Sequence, residues 1–372
     1  MKPKDSRRKV VRNNPKSKRL IAVDIFSGAG ALTLGLKRAG FRVAAAVEIE
    51  DNAFATYKTN HPEVHAIKQD VRTVKGRHLR ALVGGEVDLL AGCPPCQGFS
   101  TLTNTSSKRD PRNDLVMEMA RLVKEIRPRA VMMENVPGLA GRGKRLFNRF
   151  LRTLEELNYR YTWDVLQVAN YGVPQNRRRL VLLAGRGVEL SLPKTTHHRI
   201  GAGGLPTWKT LRDAIFGMES PILLEDSRKI GGPRRVNWNV IRRLSPENIA
   251  RLRKARPGAS RADLPKSLRP DCHKDVDKGY SSVYGRMAWD KLPVTITGGC
   301  TTLSKGRFGH PSELRTISVR EAARIQTFPD DYVFDTPYME YVCEMIGNAL
   351  PCDFAETLAS SVASQLHLAK RR

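Results

Sequence analysis

The first 190 residues alternate between short continuous apolar runs and segments whose apolar residues recur every three to four positions. The runs predict buried strands, and the recurring spacing predicts amphipathic helices. The predicted strands are 20–26, 43–47, 64–67, 87–91, 130–133 and 180–184, and the predicted helices are 31–39, 51–59 and 115–126. Strands that are apolar throughout and separated by helices indicate an α/β fold with a parallel sheet covered on both faces.

The pattern changes in the middle of the chain. From about Pro193 to Pro293 the sequence is rich in Pro, Gly and Arg and has little regular period, which predicts a smaller, loop-rich lobe. Apolar residues then recur every four positions from Phe354 to Leu366, which predicts an amphipathic helix that packs back on the first lobe. The predicted units are a basic tail (1–19), a first lobe (20–190 with 338–372) and a second lobe (191–337).

The net charge of the chain indicates which kind of molecule it binds. The chain carries 64 Lys and Arg against 37 Asp and Glu, a formal net charge of +27, and the excess is clustered in residues 1–19 and 228–269. A protein this basic commonly binds a polyanion, and nucleic acid is the natural candidate. There is no apolar run of about 18 residues and no secretory signal pattern, so we expect a cytoplasmic, nucleoid-associated protein without a membrane contact.

The chain has six cysteines, which we expect to be reduced thiols in such a compartment. Cys93 and Cys96 form a Cys-x-x-Cys pair, a spacing found in redox sites and in half of a zinc site. The sequence offers no second pair to complete a tetrahedral site, so we expect no metal.

A glycine-containing turn follows the first predicted strand, in the sequence DIFSGAG. Gly28 and Gly30 allow a tight turn close to a ligand, and Glu48 lies at the end of the next strand, where nucleotide folds place an acid on ribose hydroxyls. Asp70 ends the third strand and is able to accept from an adenine amino group. This ordered series predicts a nucleoside-bearing cofactor.

A cysteine-containing segment, GCPPCQGFS, follows the fourth predicted strand. Pro94 and Pro95 stiffen it, and the polar stretch 98–113 predicts a loop that closes over a substrate. The next strand, AVMMEN, ends in Glu134 and Asn135, so a thiol and a carboxyl are expected in one crevice at the carboxyl ends of the strands. Methylation of cytosine at carbon 5 requires such groups, because a thiolate must first add to carbon 6 while an acid acts at ring nitrogen 3.

With these motifs the chain resembles DNA (cytosine-5) methyltransferases of the prokaryotic restriction-modification type, from about Leu20 to Leu366. Six ordered segments carry the resemblance: DIFSGAG, GCPPCQGFS, MENV, GVPQNRRR, LRTISVREAARIQTFPDDY and IGNALP. The resemblance implies a Rossmann-like S-adenosylmethionine-dependent methyltransferase domain with a smaller, loop-rich target-recognition domain.

The resemblance also implies residue roles. The catalytic residues it implies are Cys96 as the nucleophile, Glu134 as the acid, and Arg177 and Arg179 as the groups that hold the flipped cytosine and its phosphate. The cofactor-binding residues are Phe26, Gly28, Gly30, Glu48, Ile49, Asp70, Val71, Pro94, Asn348 and Ala349. The DNA-binding residues are Gln97, Ser100, Gln175, Arg234, Arg235, Arg242 and Arg243. For Arg320 a structural salt bridge and a DNA contact stay equally open, and Trp238 is expected to pack rather than to stack on bases.

The implied cofactor is S-adenosyl-L-methionine, and the implied partner is double-stranded DNA. We expect a monomer, with a restriction endonuclease as a functional but not stably bound partner. Three alternatives stay open: a transfer-RNA cytosine methyltransferase of the same fold, a non-catalytic DNA-binding relative, and a thiol oxidoreductase that uses Cys93 and Cys96. The target sequence is not determined by these motifs.

Overall fold

The computed structural model describes residues 19–95, 111–271, 274 and 282–369. Its main feature is a seven-stranded sheet with strand order β3-β2-β1-β4-β5-β7-β6. The strands are β1 Ile21–Ile25, β2 Arg42–Glu48, β3 His65–Lys68, β4 Leu89–Gly92, β5 Ala130–Asn135, β6 Tyr159–Gln167 and β7 Arg178–Arg186. A separate parallel pair is formed by β8 Ile222–Leu223 and β9 Val240–Ile241.

The prediction of an α/β sheet is confirmed, but the prediction of an all-parallel sheet is wrong at one strand. β7 pairs antiparallel with both β5 and β6, so it alone runs against the others. β6 was not predicted because polar residues alternate along it, whereas the predicted strands are continuous apolar runs. A hairpin needs only a short connection between its strands, and residues 168–177 provide it.

The described helices are α1 Ala31–Arg38, α2 Asp51–Asn60, α3 Gly76–Val83, α4 Leu115–Ile126, α5 Lys144–Glu156, α6 Leu211–Ile215, α7 Leu224–Lys229, α8 Pro246–Lys254, α9 Val319–Ile325, α10 Met339–Asn348 and α11 Cys352–Ala369. The three helices predicted in the first lobe correspond to α1, α2 and α4. None of the helices in the described part of the chain has the length and apolar character needed to cross a bilayer.

Helices cover both faces of the sheet. One face packs against α3, α4 and α5, through residues such as Leu79, Met119 and Phe150. The other face packs against α1 and α11, as the apolar spacing near the C-terminus predicts: Phe354 and Leu366 are fully buried there. Apart from Asp24 in β1, the central strands β1, β4 and β5 are therefore apolar on both sides, and their other polar side chains lie at the strand ends.

A third core cluster joins the loop-rich part of the chain to the first lobe. It combines Trp238 and Phe334 with Ala29 and Ala31, which lie directly after β1. Trp238 is 1% exposed, and its indole nitrogen donates to the carbonyl of Phe334 at 3.0 Å. The packing role expected for this tryptophan is confirmed, and the contact places the loop-rich part beside the carboxyl end of β1.

Candidate active site

The carboxyl ends of β1, β2, β4 and β5 meet at one edge of the sheet. Ile25 is in register with Val47 and with Gly92, and Gly92 is in register with Met133. The segments that follow these four strands therefore start side by side. The glycine turn and the Cys93–Pro94 segment begin here, beside Glu48 at the end of β2 and Glu134 near the end of β5. The sequence analysis predicted a thiol and the Glu134 carboxyl in one crevice at these strand ends.

The turn after β1 has a backbone that ordinary residues rarely adopt. Phe26, Gly28 and Gly30 have φ values of 61°, 54° and 96°. A Cβ atom on Gly30 would lie 2.5 Å from the ring of His61 and 2.9 Å from the hydroxyl of Tyr332. Glycine is required at this position by both the backbone conformation and the lack of space.

Glu48 connects this turn with the end of β2. Its Oε2 accepts from the amide of Gly28 at 2.7 Å, and its Oε1 accepts from the amides of Ile49 and Glu50 at 2.9 and 2.8 Å. Burial raises the pKa of Glu48, and the three amide donors oppose the shift. The side chain of Ile49 is 59% exposed, an unusual position for an apolar residue and one that offers contact area to a ligand.

Asp70 and Val71 lie beyond β3. The Asp70 carboxylate accepts from the backbone amide of Arg72 at 2.9 Å and from its guanidinium at 3.0 Å, and this pairing lowers the pKa of Asp70. Val71 is buried in the core. Any ligand contact of the Asp70 carboxylate therefore competes with Arg72.

Asp24, within the DIFSGAG motif, is a buried acid near this edge of the sheet that was not among the predicted site residues. It is fully buried, and its Oδ2 accepts from the hydroxyl of Thr33 at 2.7 Å, whereas its Oδ1 has no hydrogen-bond partner among the described residues. Burial raises the pKa of Asp24 to about 7. A charged residue inside an otherwise apolar strand was the signal that could have marked it.

Glu134 and Arg179 form a buried ion pair at the ends of β5 and β7. Arg179 Nε lies 2.7 Å from Glu134 Oε1, and the two side chains are 15% and 8% exposed. Burial lowers the pKa of Arg179, while Glu134 and Cys93 act in the opposite direction. The carboxyl and the guanidinium are thus held as one unit beside the segment that leads to Cys96.

The segment after β4 is hydrogen-bonded to the end of the neighbouring strand β5. Pro94 is buried, and its carbonyl accepts from Asn135 Nδ2 at 2.9 Å. Burial, and then the nearby Glu134 carboxylate, raise the pKa of the Cys93 thiol well above its usual value. Cys93 is therefore a protonated thiol at neutral pH. Cys96, Gln97, Ser100 and most of the predicted closing loop lie outside the described residues.

Gln175 and Arg177 are placed in the interior. Arg177 donates to the carbonyls of Ile296 at 2.9 Å, Gly347 at 3.0 Å and Ala349 at 3.1 Å. Gln175 is fully buried and pairs with Gln326 at 2.7 Å. Both residues precede β7, and their side chains connect it to the loop-rich part and to the end of α10, where Asn348 and Ala349 lie. The expected contacts of Arg177 with the flipped cytosine and of Gln175 with DNA stay predictions.

Three of the four arginines expected to contact DNA have acidic partners in this structure. Arg234 pairs with Asp335 at 2.5 Å, Arg243 pairs with Glu225 at 3.2 Å, and Arg242 pairs with Glu340. Arg235 is exposed. Arg320, in contrast, is buried and donates to the carbonyls of Asn237 at 2.8 Å and Tyr332 at 3.0 Å. These contacts are structural, but they are hydrogen bonds to backbone carbonyls rather than the expected salt bridge.

Comparison with known proteins assigns the family. The chain is 36% identical over 352 residues to the Type II methylase M.HgiDII of Herpetosiphon aurantiacus, covering 91% of this chain and 94% of that protein. It is 31% identical over 359 residues to the Type II methyltransferase M1.BsuMI of Bacillus subtilis (strain 168), covering 90% and 78%.

Solved structures share the fold. A putative DNA modification methyltransferase from an Escherichia coli prophage matches with a TM-score of 0.69 at 24% identity, covering 94% of this chain and 99% of that one. Spodoptera frugiperda DNMT2 matches with a TM-score of 0.62 at 18% identity, covering 92% and 99%. The family described as C-5 cytosine-specific DNA methylase matches residues 20–364, and the chain belongs to that family.

Proposed function

We propose that the protein transfers a methyl group from S-adenosyl-L-methionine to carbon 5 of a cytosine that has been flipped out of a specific duplex DNA sequence. The observation that supports this most directly is the buried Glu134–Arg179 pair, 2.7 Å apart, beside the segment that leads to Cys96. A neutral pyrimidine bound there meets a carboxyl group and a cation at the same end of the sheet.

The residues present fit the proposed cofactor. Asp24 Oδ1 is a buried acceptor without a partner among the described residues, which suits the ammonium group of an amino acid moiety. Glu48 suits ribose hydroxyls, and Ile49 offers apolar contact. The residues that would hold the cofactor are Phe26, Gly28, Gly30, Glu48, Ile49, Asp70, Val71, Pro94, Asn348 and Ala349. The cofactor supplies an electrophilic methyl group when bound.

In the proposed reaction the Cys96 thiolate adds to carbon 6 of the ring and forms a C–S bond. Glu134 holds a proton at ring nitrogen 3, which neutralises the charge that develops there and makes carbon 5 nucleophilic. After carbon 5 accepts the methyl group, its proton leaves to a base and the C–S bond breaks, so the thiolate is regenerated. Arg179 keeps the Glu134 carboxyl in place and faces the pyrimidine oxygen.

We revise two of the roles that the resemblance implies. We assign Arg177 and Gln175 to positioning, because their buried bonds join β7 to Ile296 and to the segment after α10. We keep four arginines as DNA-binding residues: Arg234, Arg235, Arg242 and Arg243. On binding, DNA phosphates would compete with the acidic side chains that pair with three of these arginines. The unit from 191 to 337 is proposed as the target-recognition domain.

The proposed setting is a monomer in the cytoplasm, associated with the nucleoid. Its partner is duplex DNA, with an endonuclease that acts on the same sequence without a stable complex. Binding to DNA should weaken steeply with salt, because the chain carries a formal net charge of +27.

The test is expression in a methylation-free host followed by bisulfite sequencing of the host DNA. We expect 5-methylcytosine at one short recognition sequence, which also identifies the target. Purified protein should then form a denaturation-resistant complex with a target duplex containing 5-fluorocytosine, because the fluorine blocks release. Cys96→Ser should abolish methylation and trapping, whereas the matched control Cys93→Ser should retain both. Methylation of RNA but not of duplex DNA, or loss of activity in Cys93→Ser alone, would contradict the proposal.

A further inference from the structure

Two side chains from outside the glycine turn hold its carbonyl groups. The hydroxyl of Tyr332 donates to the carbonyl of Ala29, and His61 Nε2 lies 3.0 Å from the carbonyl oxygen of Gly30. Tyr332 Oη and His61 Nε2 are themselves 3.3 Å apart. Both side chains are buried, so these bonds are not exchanged with water.

The protonation of His61 follows from its surroundings. Burial, and then the nearby Lys37, lower the pKa of His61 to about 4, so the ring is neutral at pH 7. Lys37 Nζ, a donor, lies 3.3 Å from Nδ1, which leaves Nδ1 as the acceptor and places the ring proton on Nε2. His61 Nε2 therefore donates to the carbonyl of Gly30.

Tyr332 belongs to a segment, 330–336, that we call the strap. The strap is bound to α2 by a series of hydrogen bonds. Asn60 Nδ2 donates to the carbonyl of Val333 at 2.7 Å and Asn60 Oδ1 accepts from its amide at 3.0 Å. Thr59 donates to Asp335 at 2.7 Å. These bonds fix the strap to α2. Since α2 begins at Asp51, shortly after the end of β2, it is the helix that follows Glu48.

The strap also contacts the loop-rich part of the chain. Trp238 donates to the carbonyl of Phe334 at 3.0 Å, Arg234 pairs with Asp335 at 2.5 Å, and Asn237 Nδ2 donates to the carbonyl of Asp330 at 2.5 Å. The strap therefore lies between residues proposed to meet DNA and the turn proposed to meet the cofactor.

We propose that Tyr332 and His61 are positioning residues for cofactor binding. We also propose that the strap, itself part of the unit proposed for target recognition, couples the glycine turn to residues 234–238 of that unit. The turn needs such support because Phe26, a non-glycine residue, has a φ of 61° beside two glycines with positive φ. Without the two donors, the carbonyls of Ala29 and Gly30 lose their partners and the turn relaxes. The inference rests on the proposed use of S-adenosylmethionine.

The test compares Tyr332→Phe, which removes only the hydroxyl group, with Tyr338→Phe, a matched change at an exposed tyrosine. Calorimetric titration of the full-length protein with S-adenosylmethionine should give a Kd about tenfold higher for Tyr332→Phe, as expected for one lost buried hydrogen bond. The control should stay within twofold. At saturating cofactor, kcat of Tyr332→Phe should also stay within twofold, since the reacting groups are unchanged.

A second pair of variants separates positioning from general stability. His61→Gln, whose amide is able to donate, should bind the cofactor more tightly than His61→Leu, and all four variants should be compared by thermal unfolding. A Tyr332→Phe protein that melts earlier but binds the cofactor within twofold of the wild type would overturn the inference.

Coupling through the strap is tested with Trp238→Phe, which removes the donor to Phe334 and leaves the glycine turn intact. Combined with Tyr332→Phe, it should raise the cofactor Kd by a factor different from the product of the two single effects, and additive effects would refute the coupling. A wild-type protein that does not bind S-adenosylmethionine would instead refute the proposed function, so the two failures are distinguishable.

Discussion

Asn135 Nδ2 donates to the carbonyl oxygen of Pro94 at 2.9 Å and joins the ends of β5 and β4. The bond is buried, and it connects the residue after Glu134 with the segment that leads to Cys96. The acid and the nucleophile of the proposed reaction therefore come from strand ends that one side chain holds together. Supporting bonds of this kind keep catalytic groups close to their productive geometry.

Replacing Asn135 with Ala should lower kcat about tenfold on a target duplex, because the segment after β4 loses its anchor, while of the proposed cofactor residues only Pro94 lies on that segment. The Kd for S-adenosylmethionine should change less than twofold. Steady-state methylation and calorimetry check both values, with the exposed Asn148→Ala on α5 as the control. An unchanged kcat would show that this bond does not position the segment.

Removing the guanidinium of Arg179 should damage both stability and activity. Arg179→Ala leaves the Glu134 carboxylate buried without its partner, which costs about 3–5 kcal/mol in the free energy of unfolding. Arg178→Ala, at the exposed neighbouring position, should change the unfolding free energy by less than about 0.5 kcal/mol. Denaturant titration measures the difference, and equal effects of the two substitutions would contradict the role of the pair.

Arg177→Leu should destabilise the protein and loosen the contact between its two lobes. The carbonyls of Ile296 and Gly347, whose bonds are buried, and that of Ala349, whose bond is partly buried, lose a charged donor. We therefore expect a loss of at least about 3 kcal/mol in the free energy of unfolding. Arg160→Leu, which breaks an exposed pair with Glu189, provides the comparison and should cost about 1 kcal/mol or less. Faster protease cleavage between residues 187 and 330 in Arg177→Leu alone is the second expected result.

The pKa of Asp24, raised to about 7 by burial, predicts a pH dependence of stability. Between about pH 4 and pH 7 the folded protein retains a proton that the unfolded chain releases, so the contribution of Asp24 to the unfolding free energy falls as pH rises. His61, with its pKa lowered to about 4, acts oppositely, because between about pH 4 and 6.5 only the unfolded chain binds its proton.

Asp24→Asn should remove the pH dependence of stability that comes from Asp24 and leave the one that comes from His61. The unfolding free energy of the wild type minus that of Asp24→Asn should therefore fall as pH rises from about 4 to 7 and level off above 7. Urea titrations at a series of pH values give this difference. A difference that is flat across the range would contradict the raised pKa of Asp24.

The local pattern of the sequence was sufficient for the central strands and their helices. The apolar runs of β1, β4 and β5 and the spacing in α4 predict these elements because burial on one or two faces imposes a period on the sequence. The order of the motifs was sufficient for Glu134 and Arg179 to be expected in one site. β6 was not predicted because its polar residues face outward and interrupt the apolar run. The antiparallel direction of β7 was not predicted because an apolar run does not indicate which way a strand runs.

What the sequence determined by itself is chemistry that depends on residue type and order: a glycine turn after the first strand, acids at strand ends and a cysteine beside prolines. What only the tertiary structure decided is which of these side chains are exposed and what they contact. Gln175 and Arg177 stand in a motif beside Arg179, yet they turn inward, and Tyr332 reaches Ala29 from 303 positions away. Such contacts depend on the packing of segments distant in the chain, and no local period records them.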